Sequence, residues 1–131
     1  MKKLGEFFQV ADWKTEKHVP VIECPDTVKS GERFEIRVSV GKGIAHPNTT
    51  EHHIRWIQVF FHPEGESYSH QLASCEFTAH GESVQGANQG PTCTEPVASV
   101  MAMINKPGTI YALSFCNIHG LWENSKEVKI G

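Results

Sequence analysis

The most constraining feature of this chain is an apolar–polar alternation of period two, clearest over residues 34–40 (FEIRVSV). Successive side chains of a β-strand point to opposite faces, so this alternation predicts a half-buried strand. Helical spacing is hard to find elsewhere, and similar short segments are separated by residues typical of turns. The expected strands are residues 19–24, 34–40, 53–61, 69–79, 97–104, 109–116 and 124–130. Seven short strands of this kind predict an all-β, antiparallel sandwich.

The connections between these strands differ in length and composition. Residues 105–108 (NKPG) place Pro and Gly where a type II turn needs them, so a hairpin is expected between the strands on either side. Residues 41–51 and 81–95 are rich in Gly, Asn, Pro and Thr and are long enough to be functional loops. We expect residues 1–131 to form a single domain, in which residues 1–17 are an N-terminal arm ending in a Glu-Lys loop.

Composition excludes several classes of partner. The chain has 131 residues with 12 basic and 15 acidic side chains, a net charge of −3 and no Lys/Arg block, so nucleic acid and anionic membranes are not expected partners. It has no apolar run of the length that crosses a bilayer, and Glu6 interrupts the N-terminal segment before an export signal could form. Four separated cysteines without a Cys-x-x-Cys pair favour a reducing cytoplasm.

Length also bears on the role of any metal. A chain of 131 residues can bury a core without disulfide or metal staples, so a bound metal is expected to be functional. Eight histidines are a high number for this length, and several lie in three short segments. These segments are residues 16–20 (EKHVP), 46–53 (HPNTTEHH) and 116–120 (CNIHG).

Together the three segments offer four imidazoles and one thiolate. His52 and His53 adjoin a strand and should point to opposite faces, so only one of them is expected to be a ligand. Five donors exceed the four ligands of a structural zinc site, which favours a redox metal. Imidazole suits iron, copper and zinc, and a single thiolate adds electron donation. The candidate ligands are His18, His46, His52, Cys116 and His119.

The chain resembles the superoxide reductases, also called neelaredoxins. The resemblance lies in residues 16–20, 46–55 and 116–122, and also in residues 76–83 (EFTAHGES). The resemblance covers nearly the whole chain. It implies a seven-stranded immunoglobulin-like sandwich. Larger desulfoferrodoxins have an N-terminal domain with a second, four-cysteine iron site, but no cysteine precedes Cys24 here. The resemblance is therefore to the one-iron type.

The resemblance further implies a site and a reaction. One mononuclear non-haem iron would have the four histidines as equatorial ligands and Cys116 as the axial ligand. Superoxide would be reduced by one electron to hydrogen peroxide without production of dioxygen. Lys17 would attract the anion, and Glu16 would be the carboxylate that occupies the sixth position of the oxidised iron. Rubredoxin or a similar small redox protein would donate electrons, and the chain would form a homotetramer or homodimer.

Two other interpretations remain open from the residues. A blue-copper electron carrier is also a β-sandwich and uses two histidines, one cysteine and a weak axial methionine, but no methionine follows His119. A non-catalytic sandwich with a structural zinc is the second alternative. Metal analysis together with a visible spectrum distinguishes the three.

Overall fold

The computed structural model describes residues 1–131 and contains almost only β-structure. All seven expected strands are present, so the predicted fold class is confirmed. One further strand (Thr27–Val28) has only two residues and is too short to show an alternation. No helix has the length and apolar character that crossing a membrane requires. The elements are a 3₁₀ helix (Leu4–Phe7) and the strands β1 (Pro20–Glu23), β2 (Thr27–Val28), β3 (Phe34–Val40), β4 (Ile54–Pro63), β5 (His70–Glu76), β6 (Val97–Ala102), β7 (Gly108–Cys116) and β8 (Gly120–Ile130).

The strands form two sheets. The smaller has the order β1-β3-β6 and the larger the order β2-β8-β7-β4-β5. Every pairing is antiparallel except that of β2 with β8, in which Thr27 and Val28 run parallel to Lys129 and Ile130. The sandwich is therefore antiparallel with one short parallel edge.

Alternation along the strands places apolar side chains between the two sheets. In β3, β4 and β7 most alternate residues are buried, as at Ile36, Ile57 and Ile110, and most residues between them are less buried or exposed. Eighteen buried residues from both sheets form one hydrophobic cluster, which includes Cys116. The thiol predicted to bind a metal is therefore anchored in the core.

The prediction of a hairpin at residues 105–108 is wrong. Strand β6 lies in the smaller sheet and β7 in the larger one, so this turn carries the chain from one sheet to the other. Carbonyls in the connection accept hydrogen bonds from distant segments, Ile104 from Gly31 and Pro107 from Glu64. Pro and Gly determine the local bend, but not which strand the chain joins afterwards.

Candidate metal centre

Cys116 and His119 are held by a tight turn between β7 and β8. The two strands pair up to Cys116 opposite Gly120, which leaves a three-residue connection that contains His119. Gly120 has φ +79°, a left-handed conformation that glycine adopts without strain. The backbone N–H of His119 donates to Cys116 Sγ over 3.3 Å, and His119 Nδ1 lies 3.8 Å from the same sulfur. Strand β8 thus begins at Gly120, four residues before the position expected from sequence.

His18 reaches the site from the N-terminal arm, immediately before β1, and is 5% exposed. Its ring Nδ1 hydrogen-bonds Glu16 Oε1 over 2.6 Å, and its backbone N–H donates to the same oxygen over 2.8 Å. The indole of Trp122 stacks on the His18 ring with a centroid distance of 4.9 Å, and the buried Ser114 hydroxyl donates to the His18 carbonyl. These contacts turn Nε2 of His18 away from Glu16 and toward His119 Nδ1, 3.1 Å away.

His46 and His52 lie on the loop between β3 and β4, residues 41–53. His46 Nδ1 bonds the Pro47 carbonyl over 2.6 Å, so its Nε2 is the nitrogen left for another partner. The backbone around His52 is closed by reciprocal bonds with Thr49. His52 Nε2 lies 3.2 Å from His119 Nδ1. The loop therefore supplies two imidazoles to the same place as the β7–β8 turn.

The four imidazole rings surround a common centre. Successive ring centroids lie 4.8 Å apart from His18 to His46, 4.7 Å from His46 to His52, 5.0 Å from His52 to His119 and 4.7 Å from His119 to His18. The diagonal from His18 to His52 is 6.1 Å, longer than any of these sides. One donor atom from each of His18, His52, Cys116 and His119 lies within 4.8 Å of the other three.

Hydrogen bonding alone does not satisfy this cluster. His46 Nε2 is buried and has no hydrogen-bond partner in the protein. His18 Nδ1 and His46 Nδ1 already face oxygen acceptors, so their Nε2 atoms carry lone pairs when the rings are neutral. Lone pairs directed at one another without a proton or cation between them are unfavourable, and imidazole with thiolate is a donor set for zinc, iron and copper. The residues therefore fit a bound metal cation.

Burial favours the neutral form of the His18, His46 and His52 rings. Burial lowers the pKa of His46 to about 4, and charges on His18, His52 and Lys17 act in the same direction. Burial also lowers the pKa of His18, although the hydrogen bond and charge of the Glu16 carboxylate act in the opposite direction. The pKa of His52 is lowered mainly by burial and further by the nearby His119. A neutral imidazole is the form that donates a lone pair to a metal.

Glu16 and Lys17 lie beside this cluster rather than within it. They line a cleft of about 200 Å³ together with Thr15, His18 and Ile44. Burial acts to raise the pKa of Glu16, but the hydrogen bonds from the backbone and ring of His18 outweigh it, so the pKa is lowered. The carboxylate is therefore ionised at neutral pH and is engaged with the His18 ring.

The structure thus brings four of the five predicted donors, His18, His52, Cys116 and His119, within 4.8 Å of one another from three separate segments. His46 is not in that group of donor atoms, although its ring packs against the rings of His18 and His52. The histidines that were not expected to bind a metal lie outside the cluster: His53 and His80 are buried, and His62 and His70 are more exposed. All four cysteines are free.

Sequence reasoning missed the residues that hold the loop. Asn117 joins the two halves of the site, because its side chain accepts from the His53 backbone N–H and donates to the Glu51 carbonyl. Asn88 accepts from the Thr50 backbone N–H and donates to the Glu51 carboxylate. The only sequence signal for Asn88 is its position in the second Gly- and Asn-rich loop, which does not indicate the partner.

Comparison with known proteins gives a consistent assignment. The desulfoferrodoxin family model matches residues 10–125. The chain is 56% identical to neelaredoxin of Megalodesulfovibrio gigas over 128 residues, covering 98% of each chain, and 54% identical to superoxide reductase of Pyrococcus furiosus over 121 residues, covering 92% and 95%. A crystal structure of a Thermotoga maritima protein, 55% identical, superposes with a TM-score of 0.97 and covers 100% of this chain and 99% of that one. The chain belongs to the desulfoferrodoxin family.

Proposed function

We propose that the protein is a superoxide reductase, which reduces superoxide by one electron to hydrogen peroxide without producing dioxygen. The ligands of one mononuclear non-haem iron are His18, His46, His52, His119 and Cys116. The observation that carries this proposal is the ring of four imidazoles around a common centre next to a completely buried thiol. Proteins named superoxide reductase and neelaredoxin, which are similar in sequence over nearly the whole chain, support it.

Bound iron supplies the electron by changing between the ferrous and ferric states. Each superoxide anion takes up that electron and two protons, so the protein must attract an anion and deliver protons. Cys116 binds as the thiolate, and the backbone N–H of His119 donates to its sulfur and stabilises the negative charge. Burial of Cys116 in the core keeps this thiolate away from solvent and other oxidants.

Lys17 provides the local attraction. The net charge of −3 repels superoxide at long range, whereas Lys17 lines the cleft beside His18 and its positive charge creates a local field there. It also orients a water molecule that donates a proton to the reduced product. Glu16 holds the His18 ring in one orientation through Nδ1, as carboxylates commonly do for metal-bound histidines. Its role as the sixth ligand of oxidised iron stays a prediction.

The remaining parts of the proposal concern the chain as a whole. Residues 1–131 form one domain, which is supported by a single hydrophobic cluster shared by both sheets. The protein works in the cytoplasm as a homotetramer or homodimer and receives electrons from rubredoxin or a similar small redox protein. A blue-copper site is not favoured, since four imidazoles surround the centre where such a site uses two.

Metal analysis and stopped-flow spectroscopy test the proposal. Protein produced with iron available should contain about one iron per chain and show a thiolate-to-iron charge-transfer band when oxidised. The reduced protein, mixed with superoxide, should form peroxide without dioxygen. Stoichiometric zinc or copper would reject the iron assignment, and dioxygen equal to half of the superoxide consumed would indicate dismutation instead.

A further inference from the structure

His80 is a buried histidine that the proposed reaction does not use. It lies in the connection after β5, is 3% exposed, and both of its ring nitrogens face oxygen atoms. Nε2 lies 2.7 Å from the Phe77 carbonyl, which can only accept a hydrogen bond. Nδ1 lies 2.9 Å from Asn48 Oδ1.

The second of these bonds has a defined direction. The side-chain nitrogen of Asn48 donates to the Thr94 carbonyl over 3.0 Å, so the amide cannot be turned round without losing that bond. Its oxygen therefore faces His80 and accepts. His80 consequently donates from both ring nitrogens, which requires a proton on each.

The same histidine contacts the loop of residues 41–53 at three places. Besides Asn48, the Thr50 hydroxyl donates to the His80 carbonyl over 2.8 Å. The His53 ring stacks flat on the His80 ring, with centroids 3.5 Å apart and planes inclined by 4°. His53 is fixed in turn, because its Nδ1 bonds the Thr49 carbonyl. These contacts all fall between His46 and His53.

Charged groups of both signs lie near His80. Glu82 Oε1 accepts from the His80 backbone N–H over 2.7 Å, and this bond, together with charge on His80 and His53, lowers the pKa of Glu82. Arg55 and Glu76 line the same cleft of about 440 Å³. Cys93 pairs with His80 as a backbone bridge. The partners of the ring itself are Asn48 Oδ1 and the Phe77 carbonyl, which replace the water that a buried hydrogen-bond donor loses.

We propose that His80 is a positioning residue that donates from both ring nitrogens and thereby fixes the loop carrying His46 and His52. The inference rests on the proposed function, because it matters for catalysis only if these two histidines are metal ligands. Hydrogen-bonding partners outside the ligand shell commonly change metal affinity about 10–100-fold when removed. His80 acts at one step further out, through Asn48 and the stacked His53.

Two variants separate hydrogen bonding from packing. His80→Gln retains a side-chain donor but cannot serve both acceptors, and His80→Phe keeps a flat ring against His53 with no donor. His70→Gln on β5 is the matched control, since His70 is exposed. We expect iron release to a chelator to be about tenfold faster in both His80 variants and unchanged in the control. Release from His80→Phe at the wild-type rate would overturn the inference, because packing would then suffice.

Measurements on the metal-free chain keep the test independent of the iron assignment. Amide hydrogen exchange over residues 46–53 should be about tenfold faster in the His80 variants, with exchange in β3 and β7 unchanged. Unchanged exchange over residues 46–53 would overturn the inference, even for a protein that binds iron as proposed. Failure of the wild-type chain to bind iron would instead reject the proposed function and leave the exchange result to decide the role of His80.

The protonation of His80 has its own spectroscopic signature. In the full-length chain with ¹⁵N-labelled histidine, loaded with diamagnetic zinc, His80 should show two slowly exchanging ring protons, one on each nitrogen. His80→Gln assigns the signals by their disappearance. A single ring proton on His80 would overturn the double donation.

Discussion

The two sides of the candidate metal centre reach it by different means. Cys116 and His119 sit on a short turn between two long, directly paired strands, and the thiol is part of the hydrophobic core. His46 and His52 sit on a long loop whose position depends on polar side chains from elsewhere, among them Asn88 and His80. The first side is positioned by sheet pairing and burial, and the second by individual hydrogen bonds.

This difference has a physical consequence. Breaking one bond in a sheet-anchored turn leaves the remaining ladder and the core contacts in place. A loop held by side-chain hydrogen bonds loses a larger share of its support with each bond, since each contributes only about 1 kcal/mol. We therefore expect substitutions on the sheet side to change the chemistry, and substitutions around the loop to change how firmly the metal is held.

Cys116→Ser gives the largest expected effect. Serine is similar in size, so the turn should still form, but its hydroxyl is a poor replacement for a soft thiolate. The charge-transfer band should disappear, and the rate of superoxide reduction should fall by about a hundredfold or more. Visible spectroscopy and stopped-flow kinetics on the same iron-loaded sample measure both. A retained band would show that Cys116 is not the sulfur ligand.

Lys17→Ala tests a residue that contributes positive charge near the site but is not a metal ligand. The band should remain, while the second-order rate with superoxide should fall about tenfold because the local positive field is lost. The dependence of the rate on ionic strength should weaken as well. Lys129→Ala, on β8, is a matched control for the change in net charge. Equal rates for Lys17→Ala and the wild type would remove the proposed attraction.

Asn88→Gly addresses the loop side. Asn88 has φ +65°, which glycine adopts freely, so the substitution removes the side-chain bonds to the Thr50 backbone N–H and the Glu51 carboxylate without adding backbone strain. The bond from the backbone N–H of residue 88 to the Thr50 hydroxyl remains. Iron release should be several-fold faster, and the turnover of protein that still holds iron should change little. Chelator kinetics and single-turnover rates measure these two quantities. A large loss of turnover with normal iron retention would contradict the division into two sides.

Trp122→Phe should have the smallest effect. Phenylalanine keeps an aromatic ring against His18 but loses the indole N–H that donates to the His119 carbonyl over 3.1 Å. The sheet and the Gly120 turn remain, so the free energy of unfolding should fall by about 1 kcal/mol or less. Thermal unfolding and the position of the charge-transfer band test this. A loss of unfolding free energy well above 1 kcal/mol, or a clear shift of the band, would show that the turn depends on this bond.

The sequence was sufficient for the features that depend on local periodicity. Strand β3 is visible in its alternation, and the all-β class follows from the other segments of the same kind. The candidate donors could be chosen because imidazole and thiolate are uncommon enough to be noticed when they occur in short clusters. Their convergence was suggested by resemblance to a family rather than by spacing, since His18 and His119 are 101 positions apart.

Other features depend on contacts between distant parts of the chain. Whether residues 105–108 close a hairpin or change sheets is decided by the pairing preferences of β6 and β7 with other strands, and the turn residues do not encode these. The sequence also does not indicate that Asn88, Asn117 and His80 support the loop. An Asn or His that makes such a hydrogen bond cannot be distinguished in the sequence from one that faces solvent. Periodicity reports which face of a strand is buried, whereas the partner of a single hydrogen bond exists only once the chain has folded.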